Sequence, residues 1–373
     1  MKKLTKTKII ISSTAGVVLV IMVAFLNFTI NLEKIQYYNL PSLNFFLLVH
    51  VGEGGNDDCS FENVDILSNP FQMSRYENCR DSLIGLSEAV RFAGFKATFQ
   101  FHGGMLKLLH EDKNFSFYEH IISLGHEIGL HHHSECLLSV DEGCEEQPDS
   151  IDWGKIGPLD ARRQVETTVM ESLIRFKSLY NMSIGLGIPT TNYCGWGSIG
   201  TIREEYNVSK KLFTSTLEDN GYQVITSSGE FSIDLKNNEC EIEYNDDQII
   251  NIHPYRIAST DMVYVDSHAS LWGGENYNQD KEIDALGKVF KCIQSRTRED
   301  EYRGQIFTWG MGTHLHNVME GNGVADVVEQ LSDLQSAIKV KSWSTKVNVQ
   351  HKTLSEIYHQ TGDLSDYEFT LLP

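Results

Sequence analysis

The sequence predicts an α/β protein built on parallel strands behind an N-terminal apolar segment. Three observations carry this. From Asn44 onward, short runs rich in β-branched and aromatic residues alternate with segments of helical periodicity, the pattern of strand–helix–strand units. Glycine closes several of the periodic segments, at Gly94, Gly125 and Gly221, where a helix would stop. Ile9 through Leu26 run 18 residues without a charge, the shortest length that reads as a membrane span, and Phe28 and Ile30 can lengthen it.

The charges of the N-terminal region, Lys2, Lys3, Lys6 and Lys8, all precede the apolar run. Cationic flanks stay cytoplasmic. The expected organisation is a basic tail over 1–8, a transmembrane anchor over 9–30, a linker over 31–43, and one exported domain over 44–373. A cleaved signal peptide is the alternative, although no small-x-small cleavage site follows the run.

Phe45 to Val51 reads as a buried first strand. Asp81 to Phe92 sets Leu83, Leu86, Ala89 and Val90 near helical spacing, with Gly94 as the stop. Lys96 to Phe101 is the second strand. Phe117 to Leu124 is a helix stopped by Gly125, and Glu127 to His131 the third strand. A longer helix is expected over Leu159 to Tyr180, a strand at Ile184 to Ile188, a helix over Ser209 to Asn220 and a strand at Tyr222 to Thr226. Later strands are expected at Ile249 to His253, Met262 to Val265 and Gln305 to Trp309, with helices at Lys281 to Ser295 and Val324 to Ile338. Residues 136–158, acidic and interrupted by Pro148 and Gly154, read as a long loop, a kind that often carries function.

A formal net charge of −20 repels phosphate, so nucleic acid is excluded as a partner. Seven cysteines fit an oxidising compartment, and the odd number leaves at least one outside any pair. Cys136 and Cys144 close a short loop and are the first expected disulfide; Cys59 with Cys79 is the second. Cys194, Cys240 and Cys292 have no evident partner in the sequence.

The residues richest in chemistry lie in two stretches, Gly94-Phe-Lys-Ala-Thr-Phe-Gln-Phe-His-Gly-Gly104 and Gly125-His-Glu-Ile-Gly-Leu-His-His-His-Ser-Glu135. Ala-Thr-Phe on a strand, followed by Gly-His-Glu-Ile-Gly-x-His, resembles the second motif of the polysaccharide deacetylases, the NodB-type (β/α) barrels of carbohydrate esterase family four. The resemblance implies one barrel domain with a divalent metal on His131. Glu135 stands where the family has its second histidine ligand, four residues on. Zinc accepts both imidazole nitrogen and carboxylate oxygen, and α/β barrels gather their sites at the C-terminal ends of strands. Three consecutive histidines, 131–133, would by themselves also suit a solvated loop.

The family's first motif, Thr-Phe-Asp-Asp-Gly, corresponds to His50-Val-Gly-Glu-Gly54. Its metal-binding Asp becomes Glu53, which can still ligate. Its general base becomes Gly52. Asp57 and Asp58, in the same Gly-rich loop, are the nearest substitutes, at positions that also suit ordinary turns. The third motif, Arg-x-Pro, keeps only Pro189, with Gly187 in place of the Arg that orients the base. The last motif supplies a histidine after the final strand, here Gln305 to Trp309. His314 and His316 follow it and share one face if the segment is extended. Either could protonate a leaving amine. His253 and His268 also stand at strand ends, where a satisfied structural histidine is the simpler reading. Thr353 to Ile357 resembles the family's closing helix.

The resemblance thus implies hydrolysis of an N-acetyl group from an extracytoplasmic polysaccharide or glycan. Glu53, His131 and Glu135 would hold a divalent ion, most simply zinc, with His314 or His316 as the acid. The paired loss at Gly52 and Gly187 favours an alternative, a catalytically silent barrel that binds glycan or assists polysaccharide assembly.

Overall fold

Twice, the chain turns from helix to strand by the same device. Helix α1 (Pro70–Phe92) ends at Gly94, whose φ of 86° is open to glycine without strain. Gly94 N donates to Arg91 O and Phe95 N to Val90 O, a Schellman closure. Strand β2 (Ala97–Phe101) follows directly. Helix α2 (Ser116–Ser123) ends the same way at Gly125, φ 84°, with Gly125 N donating to Ile122 O and His126 N to Ile121 O. Strand β3 (Glu127–Leu130) begins two residues later.

A computed structural model describes residues 41–51, 70–101, 116–130, 223–227, 241–245, 248–257, 261–296, 306–320, 323–361 and 368–369. The remaining elements are β1 (Ser42–Val51), β4 (Val224–Ser227), β5 (Glu241–Asn245), β6 (Gln248–Asn251), β7 (Tyr255–Ile257), β8 (Val263–Ala269), α3 (Gln279–Arg296), β9 (Ile306–His314), α4 (Leu315–Glu320), α5 (Val324–Thr345), β10 (Asn348–His351), α6 (Leu354–Thr361) and β11 (Glu368–Phe369).

Several elements differ from expectation. β1 takes in Ser42 and Leu43, which the sequence reading places in the linker 31–43. α1 starts at Pro70 rather than Asp81. Proline's fixed φ and missing N–H suit a first helical position, and Tyr76 and Cys79 carry the buried face back along the added turns. β6 falls where a strand of the main sheet was expected, but it pairs antiparallel with β5 in a separate two-stranded sheet. β9 does not stop at Trp309. It continues to His314 because Gly310 makes room for the Phe46 ring on β1; a Cβ there would lie 2.0 Å from Phe46 Cζ.

The main sheet is parallel in the order β3-β2-β1-β9-β8-β4, with β10 beside the first half of β1 and β7 antiparallel to β8. Neighbours follow chain order around an arc from β4 through β8, β9 and β1 to β3. Helices pack on one side of it. Leu47, Val49, Phe99, Trp309 and Met311 alternate outward to meet Leu83, Leu86, Val289, Phe290, Leu331 and Leu334. A second, smaller apolar cluster fills the other face: Phe46, Leu48, Val224, Val263 and Val265, with Leu354 and Ile357 of α6.

α6 closes the end where the strands begin. Its N-terminal amides are all used: Thr353 N donates to Glu356 Oε2, Leu354 N to Thr98 Oγ1, and Ser355 N to Glu127 Oε2. The first is half of a capping box. The others tie the helix to β2 and β3, so the opposite, C-terminal end of the sheet is left to build a site.

Cys79 and Cys292 are each disulfide-bonded. Cys136 and Cys144 lie outside the described residues, as do the helices expected over 159–180 and 209–220, the strand at 184–188 and the loop 136–158. Among the described residues no helix is long and apolar enough to cross a membrane. Residues 9–30 are not among those described.

Candidate active site

Parallel strands in register carry their inward side chains in layers. The uppermost layer that the described residues reach is polar. His50 on β1 is level with His314 on β9 and with Gln100 on β2, which is level with Gly129 on β3. The His50 and His314 rings stand edge to face, centroids 4.9 Å apart. Gln100 Nε2 donates to Thr226 Oγ1 at 3.4 Å, reaching from β2 to β4 across the inside of the arc. Gly312 lies one layer below: a Cβ there would come 3.4 Å from His268 O and 4.0 Å from His50 Cε1. Below this layer the inward face carries Phe46 and Leu48, the buried polar pair Asn44 and Thr308, and the contacts to α6.

Burial lowers the pKa of His314 to about 4, with His316 adding to the effect. His314 is therefore a neutral imidazole at pH 7, a proton acceptor. His316 does not alternate with it along an extended segment, as the sequence suggested. It sits in the first turn of α4, because β9 ends at His314 and the chain turns helical; the two rings are 5.2 Å apart.

The motif around His126 proves mostly structural. Gly125 is the left-handed helix stop. His126 accepts from Ala97 N at Nδ1 (3.1 Å), and its Nε2 lies 2.8 Å from Ser87 O, so the neutral Nε2–H tautomer satisfies both. Burial lowers its pKa to about 4. Glu127 Oε2 accepts from Thr98 Oγ1 and Ser355 N, and its other oxygen accepts from Ser355 Oγ. Ile128 is core, and Gly129 is level with Gln100. Of the motif, only His131 is left for chemistry.

His268 is buried on the outer face of β8. Its Nε2 lies 2.9 Å from Glu282 Oε2, the Tyr244 hydroxyl donates to the same carboxylate, and Trp309 packs against the ring. His253 is likewise enclosed, 4.8 Å from the Phe307 ring, with its pKa pushed by burial to about 4. Both rings are packed into the fold, with His268 Nε2 beside Glu282 and His253 against Phe307.

Glu53, Asp57, Asp58, His131 and Glu135 lie outside the described residues, as do Gly52 and Gly187. Their attachment points are fixed: Glu53 is two residues beyond the end of β1, and His131 directly follows β3. β1 and β3 flank β2, so their ends stand roughly 10 Å apart. Among the described residues no group of three or more His, Cys, Asp or Glu is placed to hold a metal.

Sequence reasoning passed over His50, Gln100 and Thr226. His50 was noticed only as the position matching the family's threonine. A polar residue ending the otherwise apolar inward run Phe46, Leu48, His50 was the available signal.

No family model matches the chain, and no curated protein does. Among solved structures, a probable polysaccharide deacetylase from Pseudomonas aeruginosa PAO1 is similar, with 11% identity and a TM-score of 0.47 over 88% of this chain and 93% of that one. Puue allantoinase gives 11% identity and a TM-score of 0.47 over 88% and 92%. A family 4 carbohydrate esterase from Streptomyces lividans gives 11% identity and a TM-score of 0.36 over 82% and 91%. The chemistry rests on this chain's own residues.

Proposed function

We propose that the chain is a divergent polysaccharide deacetylase-like barrel that removes an acyl group from an N-acylated sugar of an extracytoplasmic glycan. The observation that carries this is the imidazole pair His50–His314 at the C-terminal end of the parallel sheet, beside the strand ends that lead into Glu53 and His131. Residues 131–222 join β3 to β4 in sequence.

Glu53, His131 and Glu135 would hold a divalent cation, zinc being the simplest fit to nitrogen and carboxylate donors. Bound there, such an ion supplies Lewis acidity toward the amide carbonyl and toward water. His314, neutral at pH 7, takes the proton of the attacking water in place of the base lost at Gly52. It then returns that proton to the departing sugar nitrogen, so one imidazole serves both steps. His50 orients His314 and can share the proton. Gln100 Oε1, which has no hydrogen-bond partner among the described residues, can accept from the amide N–H or a hydroxyl of the sugar.

The test is acetate release from a panel of N-acetylated oligosaccharides by the full chain, with metal content measured alongside. Acetate release and a divalent ion, both lost in His131→Ala, support the reading. Metal bound without acetate release across the panel favours the silent glycan-binding barrel, to which the losses at Gly52 and Gly187 point.

A further inference from the structure

The large apolar side chains most exposed among the described residues sit near the ends of two helices. Phe92 is 79% exposed, Val340 65% and Trp343 78%, in the last turns of α1 and α5. These helices run side by side in the same direction. A Cβ on Gly85 would stand 3.1 Å from Val324 at the start of α5, and one on Gly94 3.6 Å from Gln335, further along it. Their C-terminal ends therefore share the lower end of the domain, opposite the polar mouth.

Charge is uneven in the same sense. Along α5, Asp326, Glu329 and Asp333 occupy the first half, and Lys339 and Lys341 the second, with Lys346 just past its end. Lys346 Nζ lies 5.7 Å from the Trp343 ring. Arg91 adjoins Phe92. Among the described residues, Glu356 near this end pairs with Lys96, and Glu88 Oε1 lies 3.1 Å from His120 Nε2. Lysines at a helix C-terminus suit its dipole, but that gives no reason for an exposed Trp, Val and Phe beside them in a chain of net charge −20. Aromatic and cationic residues together are the composition of a membrane interface.

The N-terminal segment arrives at this end. Asn348 N, three residues past the end of α5, donates to Pro41 O at 2.8 Å. Only residues 31–40 separate that point from the apolar segment 9–30. Ten residues reach at most roughly 35 Å.

We infer that the lower end of the domain, with Phe92, Val340 and Trp343 among Arg91, Lys339, Lys341 and Lys346, rests in the headgroup region of an anionic lipid bilayer, the same bilayer that residues 9–30 cross. The inference depends on that anchor and not on the proposed chemistry. It fixes the orientation of the domain: the mouth at His50 and His314 points away from the membrane, toward extracytoplasmic glycan.

The test uses the full chain reconstituted into vesicles of brominated phosphatidylcholine, with and without phosphatidylglycerol. The wild-type protein is expected to lose a component of tryptophan emission to bromine quenching that Trp343→Phe lacks. That loss should need phosphatidylglycerol, shrink at high salt, and diminish when Lys339, Lys341 and Lys346 are changed together to glutamate. Equal quenching in wild type and Trp343→Phe overturns the inference, as does quenching indifferent to anionic lipid. A blue-shifted Trp343 emission that bromine does not reach also overturns it, since another part of the protein then covers the patch.

Discussion

The imidazole of His50 stands edge-on to that of His314, 4.9 Å away, at the end of two adjacent parallel strands. Neither ring alone would mark a site. Together they form a polar layer above Phe46 and Leu48. If His314 carries both transfers, His314→Ala should lower acetate release by roughly 10²–10⁴-fold. His50→Gln should reduce it less and shift the pH profile. The wild-type rate should fall as pH drops toward about 4, where His314 takes up its proton. An unchanged rate in His314→Ala would remove it from the reaction.

Stability should depend on pH through the buried histidines. His126, His253 and His351 have folded pKa values of about 4, set by burial, against 6.5 for the exposed group. The unfolded chain therefore binds protons first as pH falls. Their contribution is full above pH 6.5, declines between 6.5 and about 4, and levels off below. For His126 alone the difference is worth about 3 kcal/mol. The Asp266 carboxyl, pushed up by burial to about 7, acts in the opposite sense over the same range. As pH falls through it, the urea midpoint of the wild type should therefore drop relative to that of His126→Gln.

Gly310→Ala should destabilise the fold by about 3 kcal/mol, since the new methyl would meet the Phe46 ring at 2.0 Å and the strand cannot move without disturbing β8 and β1 together. Adding Phe46→Leu should recover part of the loss. Denaturant midpoints of the single and double variants check this. A neutral Gly310→Ala would mean that Phe46 turns aside freely.

Glu127 and His131, four residues apart in one motif, should separate cleanly. Glu127→Ala removes the acceptor of Ser355 and Thr98 and should cost about 2–4 kcal/mol, with faster amide exchange in α6 and metal content retained. His131→Ala should lose the metal and keep the exchange pattern. Metal lost in Glu127→Ala, at a temperature where that variant is folded, would make Glu127 a ligand after all.

The sequence by itself determined the alternation of strands and helices, because helical periodicity and Gly94 and Gly125 are local signals that no distant contact has to supply. It also marked the N-terminal apolar run and the residues flanking His131. Tertiary structure decided the rest. Only strand register brings His50, 264 residues before His314, into the same layer. Only the Phe46 ring over Gly310 explains why β9 runs on to His314 and parts it from His316. Only the docking of α6 reveals that Glu127, which looks as chemical as His131 in a one-dimensional motif, spends both its oxygens on helix amides and hydroxyls. Periodicity states which face a residue occupies; it cannot state what stands opposite, and that is what separates His126, held between Ala97 N and Ser87 O, from His314 beside His50.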